Sequence, residues 1–215
     1  MAEQSLRITE IFYSLQGEAR TVGLPTVFVR LTGCPLRCQY CDSEYAFFGG
    51  KRQSLDEIEQ IIAGYKPRYV CVTGGEPLAQ PNCLPLLERL CDAGYEVSLE
   101  TSGAMAIDAV DTRVSRVLDL KTPASGEMSK NLYDNIPHIT TNDQIKFVIC
   151  DRQDYEWARM KLDELKLVGR CEILFSPSFG QVEERALAEW IVEDNLPVRF
   201  QLQLHKILWN DEPGH

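Results

Sequence analysis

Short β-branched or apolar runs alternate with helix-period segments along nearly the whole chain, and this alternation narrows the possible folds more than any other feature. "LRITEIF" (6–12), "TVFVRL" (26–31), "YVCVTG" (69–74), "EVSLET" (96–101), "VLDLKT" (117–122), "IKFVIC" (145–150), "CEILFS" (171–176) and "RFQLQL" (199–204) read as strands. Between them "SLDEIEQIIAGY" (54–65) reads as a helix: Ser54 and Glu57 have capping-box spacing, and Leu55, Ile58, Ile61 and Ile62 share one face. Segments 83–94, 155–167 and 182–194 are read as helices in the same way. Such alternation implies a parallel α/β sheet with right-handed crossovers. No internal repeat, low-complexity tract or linker interrupts it, so residues 1–215 read as one domain able to bury a sizeable core.

Composition removes several function classes. The net charge of −10 is the wrong sign for a nucleic-acid footprint, which needs clustered Lys and Arg, and favours a small-molecule substrate. No apolar run reaches the length of a membrane span, and "MAEQSLRITE" lacks the basic and apolar regions of a signal peptide. A cytoplasmic protein with no membrane or nucleic-acid partner is expected. In that reducing compartment its eight cysteines are thiols or metal ligands rather than disulfides.

In parallel sheets the ligand sits at the carboxyl ends of the strands. Four loops fall there: "GCPLRCQYCDS" (33–43), "TGGEP" (73–77), "ETSG" (100–103) and "SPSFG" (176–180). The first carries three cysteines spaced C-x3-C-x2-C. A four-iron cluster held by three thiolates keeps one iron open for a ligand; the blander alternative is a zinc site completed by a distant His or Cys. His138 and His205 are lone histidines with no ligand spacing. Cys71, Cys83, Cys91, Cys150 and Cys171 lie in or beside apolar elements and read as small core residues.

The cysteine loop, followed about 30 residues later by a strand ending in "GGEP", resembles the radical S-adenosylmethionine (SAM) superfamily. "EIFYSLQGEARTVGLPTVFVRLTGCPLRCQYCDS", with "TGGEP", "ETSG" and "LQLHK", is similar across most of the chain to the 7-carboxy-7-deazaguanine synthase family. Glycyl-radical activases share a similar cysteine loop but lack the "LQGE…R" arrangement, and they are the alternative. The resemblance implies a modified, incomplete (β/α)6 partial barrel, as a homodimer. It also implies conversion of 6-carboxy-5,6,7,8-tetrahydropterin to 7-carboxy-7-deazaguanine and ammonia in queuosine and 7-deazapurine biosynthesis. The implied cofactors are a 4Fe-4S cluster, SAM and Mg2+, with an external electron donor of flavodoxin or ferredoxin type.

Carried onto this sequence, the resemblance makes Cys34, Cys38 and Cys41 the cluster ligands. It places Leu15, Gln16, Gly17, Glu18, Thr73 and His205 on the pterin, and Arg30 on the substrate carboxylate, where a planar guanidinium gives bidentate geometry. Tyr40, Cys41, Asp42, Gly75, Asp119, Leu120, Lys121, Ser176, Pro177, Ser178 and Phe179 are expected at SAM, with the "GGE" glycines admitting its methionine amino group. Ser43 stands where relatives carry a threonine as Mg2+ ligand, and "DLK" (119–121) stands where several have "SPK". No residue is assigned as acid or base.

Overall fold

The computed structural model describes residues 4–210, 212 and 214. Its strands are β1 (Ser5–Leu15), β2 (Pro25–Leu31), β3 (Lys51–Ser54), β4 (Tyr69–Gly74), β5 (Glu96–Thr101), β6 (Ser115–Asp119), β7 (Gln144–Ile149), β8 (Glu172–Pro177) and β9 (Arg199–Phe200). The α-helices are α1 (Leu55–Tyr65), α2 (Cys83–Asp92), α3 (Arg152–Glu164), α4 (Glu184–Glu193) and α5 (Leu204–Trp209). The capping box at α1 is present: the Ser54 hydroxyl accepts from Glu57 N–H, and the Glu57 carboxylate accepts from Ser54 N–H.

One sheet runs β3-β1-β2-β4-β5-β6-β7-β8-β9. β2 and β4 to β9 pair in parallel, while β1 is antiparallel to both β2 and β3. Six full-length parallel strands with α-helical returns at only some positions make this the expected modified, incomplete (β/α)6 architecture. After β5 and β6 the chain returns through turns and short 3-10 segments instead of α-helices. Two local expectations differ. β3, "KRQS", has no apolar run to announce it and forms by pairing with the start of β1. The eighth expected run, "RFQLQL", stays in the sheet for only two residues; Gln201 N–H still reaches Phe175 O, and from Leu204 the chain turns helical.

Alternation along the parallel strands separates two environments. Val27, Val29, Leu31, Val70, Val72, Leu99, Leu118, Ile145, Phe147 and Phe175 join Ile58, Leu86, Tyr155 and Leu187 from the helices in one continuous core. The intervening residues Phe28, Arg30, Thr73, Glu100, Val117, Asp119, Lys146 and Val148 line a cavity instead. The β1–β2 connection reaches the distant strands. Arg20 N–H donates to Gln144 Oε1 at 2.9 Å, its guanidinium donates to the Thr141 and Asn142 carbonyls, and it lies 3.7 Å from Glu172.

A buried pair pins the loops beneath β6 and β7. Arg116 donates to both oxygens of Asp143, at 2.9 and 2.6 Å, and Asp143 also accepts from Thr140. Removing one partner strands the other charge in the interior. Asp143→Ala should therefore cost about 3–5 kcal/mol in urea unfolding, as breaking buried pairs does; a loss under about 1 kcal/mol would show that the pair is not a structural anchor.

Candidate active site

A cavity of about 740 Å³ opens at the carboxyl ends of the parallel strands, and all four loops singled out in the sequence contribute to it. Cys34, Cys38 and Cys41 form one wall. Their loop is tied down by backbone bonds from Gly33 N–H to Ala46 O (2.8 Å) and from Gln39 N–H to Ser125 O (3.0 Å), and by the buried Leu36 side chain. Burial raises all three thiols, Cys38 to about 11, while the Lys121 ammonium acts in the opposite direction on each. Among the described residues no three His, Cys, Asp or Glu side chains gather around a single ion position. Three thiols set around one loop suit a cluster that takes one thiolate on each of three irons.

The "GGEP" loop is fitted to the cysteine loop from behind. Gly75 N–H donates to Leu31 O (3.2 Å) and Glu76 N–H to Gly33 O (2.8 Å). A Cβ on Gly75 would lie 2.3 Å from Gly33 O and 2.7 Å from Cys34 Cβ, so a side chain is excluded by the protein itself before any ligand enters. Glu76 is fully buried and accepts from Thr101 Oγ1, Ser102 N–H, Ser102 Oγ and Leu78 N–H. Its carboxylate thus links "TGGEP" to "ETSG" and fixes both against the strand ends.

Beside the thiols, the buried Lys121 ammonium lies 2.9 Å from Asp119 Oδ2 and 5.7 Å from the centre of the Tyr40 ring. Burial pushes Lys121 down, but Asp119 and the thiols outweigh it and the net shift is upward. Asp119 Oδ1 is buried and has no hydrogen-bond partner among the described residues. Ser178 and Phe179 border the same region. These features fit a nucleoside-bearing cofactor next to the cysteines.

A second group of lining residues carries charge in the strand interior. Arg30 Nε donates to Glu10 Oε1 at 2.7 Å, with the guanidinium between the rings of Phe12 and Tyr45. Its two terminal nitrogens meet no acceptor among the described residues. Thr73 Oγ1 donates to Glu100 Oε2 at 3.3 Å. Burial, reinforced by the Glu18 charge, raises the Glu100 carboxyl. Glu18 is pushed up by burial but pulled down further by the ammonium of Lys146, with which it pairs, and by Gln203.

The "LQG" and "LQLHK" segments form one unit. Leu204 N–H donates to Gly17 O (2.9 Å), and a Cβ on Gly17 would fall 2.0 Å from His205 Nδ1. Gln203 Nε2 also reaches Asp42 Oδ2 (3.2 Å), with Lys206 3.6 Å away. Burial raises Asp42, but Lys206 and the Ser43 hydroxyl outweigh it and bring it to about 2. Ser43 Oγ donates to Asp42 Oδ1 (2.9 Å) and makes no cap to the short turn that follows, so the ordinary capping role of a serine there is not taken up.

Of the sequence-derived candidates, Leu15, Gln16, Gly17, Glu18, Arg30, Cys34, Cys38, Tyr40, Cys41, Asp42, Ser43, Thr73, Gly75, Asp119, Lys121, Ser178, Phe179 and His205 all line this cavity. Leu120, Ser176 and Pro177 do not: Leu120 packs in the core, Ser176 Oγ donates to Gln201 O, and Pro177 ends β8 in register with Ile149. Sequence reasoning missed Glu10, Tyr45, Glu100, Lys146 and Gln203. The signal for two of them was present, since a charge inside a parallel-sheet strand, as in "SLE" and "QIKFVI", breaks the apolar run such strands need. His138 is exposed, Cys71, Cys83 and Cys150 are buried, and Cys91 and Cys171 are only partly buried against the core.

Residues 28–118 match the Radical SAM superfamily. The 7-carboxy-7-deazaguanine synthase of Chlorobaculum tepidum is 44% identical over 98% of this chain and 97% of its own length. That of Koribacter versatilis is also 44% identical, over 96% and 98%, and that of Thermoplasma acidophilum is 37% identical, over 96% and 99%. The crystal structure of QueE from Escherichia coli shares the fold, with a TM-score of 0.77 at 24% identity, over 94% of this chain and 95% of that one.

Two outcomes follow from the geometry. Gly75→Ala should sharply lower the iron retained after anaerobic reconstitution, because the new methyl collides with the cysteine loop. Gly64→Ala, at an open position on α1, should leave iron content unchanged and add about 0.5–1 kcal/mol of stability. Equal iron contents in both variants would contradict the loop contact. The second outcome concerns pH. The folded state holds the Glu100 proton more tightly than the unfolded chain, so stability falls as pH rises from the ordinary glutamate value of 4.5 through the raised folded value. Glu100→Gln should flatten that decline and be more stable than the parent near neutrality, measured by urea unfolding across pH; parallel curves would refute it.

Proposed function

This chain belongs to the 7-carboxy-7-deazaguanine synthase family of radical SAM enzymes, and from that premise we propose that the cavity contracts the ring of 6-carboxy-5,6,7,8-tetrahydropterin. The product is 7-carboxy-7-deazaguanine, with loss of ammonia and no net oxidation, in 7-deazapurine synthesis. The family's cofactors are a 4Fe-4S cluster and SAM, which when bound supply a 5′-deoxyadenosyl radical for hydrogen abstraction. The observation that carries the reading is the joining, in one cavity, of three clustered thiols to charged and amide-bearing side chains, the Arg30 guanidinium among them. A glycyl-radical activase is not favoured, since the relatives matching nearly the full chain bear the synthase name.

Cys34, Cys38 and Cys41 would hold the cluster, and Tyr40, Asp119, Lys121, Ser178 and Phe179 would seat SAM. Arg30 would take the substrate carboxylate on its uncommitted nitrogens while Glu10 and two aromatic rings hold the guanidinium plane still. Gln16, Gly17, Glu18 and Thr73 offer the donors and acceptors that the pterin edge needs. The raised Glu100 carboxyl can hold or give up a proton at its own oxygen, beside Thr73. Gln203 and His205, folded over Gly17, limit water at that end.

For Mg2+ we assign Ser43. Its hydroxyl and the adjoining Asp42 carboxylate are hard oxygens at the cavity wall, of the kind Mg2+ prefers alongside retained water or substrate oxygens. A homodimer, a flavodoxin- or ferredoxin-type donor, a cytoplasmic setting and action as a single domain complete the proposal on the family's account. No helix among the described residues is long and apolar enough to cross a membrane.

The direct test is anaerobic incubation of reconstituted protein with SAM, reductant, Mg2+ and the carboxytetrahydropterin, followed by mass spectrometry. Formation of 7-carboxy-7-deazaguanine and ammonia is expected; SAM cleavage without pterin consumption would overturn the assignment. Arg30→Lys keeps charge but loses the fork, and should weaken substrate binding by about 1.5–3 kcal/mol with SAM binding unchanged. Ser43→Ala should raise the Mg2+ needed for half-maximal turnover or abolish the dependence, and Ser43→Thr should preserve it, its branched side chain favouring one rotamer. Superimposable Mg2+ titrations for all three proteins would remove Ser43 from the metal site.

A further inference from the structure

The proposed reaction needs a cavity that tells one heterocycle from its near relatives, and this inference rests on that reading. We infer that Lys146 is a specificity-determining positioning residue: by bonding Glu18 and no other carboxylate it keeps one ionised acceptor in the cavity, which selects a 2-amino-4-oxopyrimidine edge over a 2,4-dioxo one. The cations of the inner cavity are each matched to a carboxylate. Arg30 bonds Glu10 (2.7 Å), Lys121 bonds Asp119 (2.9 Å), Lys146 on β7 bonds Glu18, and Lys206 stands 3.6 Å from Asp42. Glu100 on β5 is left over: among the described residues its carboxylate takes a hydrogen bond from the Thr73 hydroxyl (3.3 Å) and has no ion-pair partner.

Glu18 is held as an acceptor. Its backbone N–H donates to Gln16 Oε1 (3.2 Å), its Oε1 accepts from Gln203 Nε2 (2.9 Å), and its Oε2 accepts from Lys146 Nζ. The paired side chains are nearly dry, 12% exposed for Lys146 and 11% for Glu18. A carboxylate has about four acceptor positions, so two remain for a ligand. Burial and the Asp42 charge raise Glu18, and Lys146 with Gln203 more than reverses them. Burial and then the Glu18 charge keep Glu100 high, against Lys146 and Arg30. Burial lowers Lys146, but Glu18, Asp119 and Glu100 together outweigh it. His205, the remaining titratable neighbour, is lowered by burial and also senses Glu18, Asp42, Lys206 and Lys146.

One ammonium shared unequally between two carboxylates leaves Glu18 ionised and Glu100 able to hold a proton. A 2-amino-4-oxopyrimidine edge presents two adjacent donors, the ring N3–H and the amino group, and an ionised carboxylate accepts both through charge-assisted bonds. In a 2,4-dioxo edge the amino group is replaced by a carbonyl, whose oxygen then faces a carboxylate oxygen with no proton between them. A site built to bond an N–H rejects the analogue lacking it far more strongly than it senses a change of size. Without Lys146, burial lifts the Glu18 carboxyl, and acidification turns the acceptor into an acid that can donate to a carbonyl. Lys146 acts through Glu18 rather than on the reacting atoms.

The test uses reconstituted full-length protein, with 6-carboxy-5,6,7,8-tetrahydropterin and its 2-oxo analogue as probes, and anaerobic calorimetry from pH 5.5 to 8.5. The parent should favour the pterin by about a hundredfold or more at every pH. In Lys146→Gln that preference should fall by about tenfold or more at pH 5.5 and recover as pH rises and Glu18 ionises. Lys146→Arg, which keeps the cation, should restore the parent profile. Carbon-13 NMR of the glutamate carboxyls, with Glu18 assigned by its loss in Glu18→Gln, reads the charge without ligand: the Glu18 signal should stay at its ionised position in the parent and titrate in Lys146→Gln. If Lys146→Gln folds poorly, the neutral pair Glu18→Gln/Lys146→Gln strands no charge and should show the preference reduced by about tenfold at every pH. A parent-like preference in Lys146→Gln or the neutral pair, a Lys146→Arg profile matching Lys146→Gln, or a Glu18 signal that titrates in the parent would overturn the role of Lys146. Failure of the parent to bind the pterin would instead overturn the proposed reaction, while the NMR comparison still decides whether Lys146 sets the Glu18 charge.

Discussion

Everything at the mouth of the cavity depends on how closely Gly75 approaches Gly33 and Cys34. The carboxyl ends of β2 and β4 are neighbours in a parallel sheet, so the loops that leave them must share one small volume. That sharing is possible only because no Cβ stands between them. Backbone bonds cross the contact, and the buried Glu76 carboxylate extends it to Thr101 and Ser102 at the end of β5. Three motifs that are far apart in sequence become one rigid frame, and the cysteines inherit their placement from it. A cluster loop held this way spends little ordering entropy when its metal binds.

The second organising feature is charge placed where a parallel strand would ordinarily be apolar. Arg30, Glu100, Asp119 and Lys146 replace core residues on the cavity side, and each is compensated by Glu10, Thr73, Lys121 or Glu18. Buried charge is tolerable only when paired and hydrogen-bonded. Each pairing also leaves something unspent: two terminal nitrogens on Arg30, one oxygen on Asp119, and a proton held high on Glu100. These residual valences are what a polar, carboxylated substrate and a nucleoside cofactor can use, in a setting already organised before they arrive.

How much of this was legible in the sequence differs by element. The capping box of α1, the apolar alternation of β4, β5 and β8, and the cysteine spacing are local signals, and each led to the right element or loop. β3 was invisible because "KRQS" owes its conformation to its partner strand. The end of the chain was misread because "RFQLQL" alternates like a strand, while its actual course is set by docking on Gly17 and Phe175, far away in sequence. The site showed the same division. Residues inside motifs do line the cavity, the three cysteines of the loop among them, whereas Glu10, Tyr45 and Gln203 reach it only through tertiary packing and left no local mark. Leu120, Ser176 and Pro177 were carried in with their segments, although Leu120 packs in the core, the Ser176 hydroxyl is taken by Gln201 O and Pro177 ends β8 beside Ile149.

The central claim is that the charged inner wall seats the substrate by its carboxylate, opposite the thiols. An anaerobic crystal structure of the reconstituted protein with SAM and 6-carboxytetrahydropterin tests it most directly. The account predicts the pterin carboxylate within hydrogen-bond distance of the Arg30 terminal nitrogens, with the ring between Glu18 and Thr73 and the ribose of SAM near Asp119. A pterin bound outside this cavity, or inside it with its carboxylate turned away from Arg30, would contradict the account.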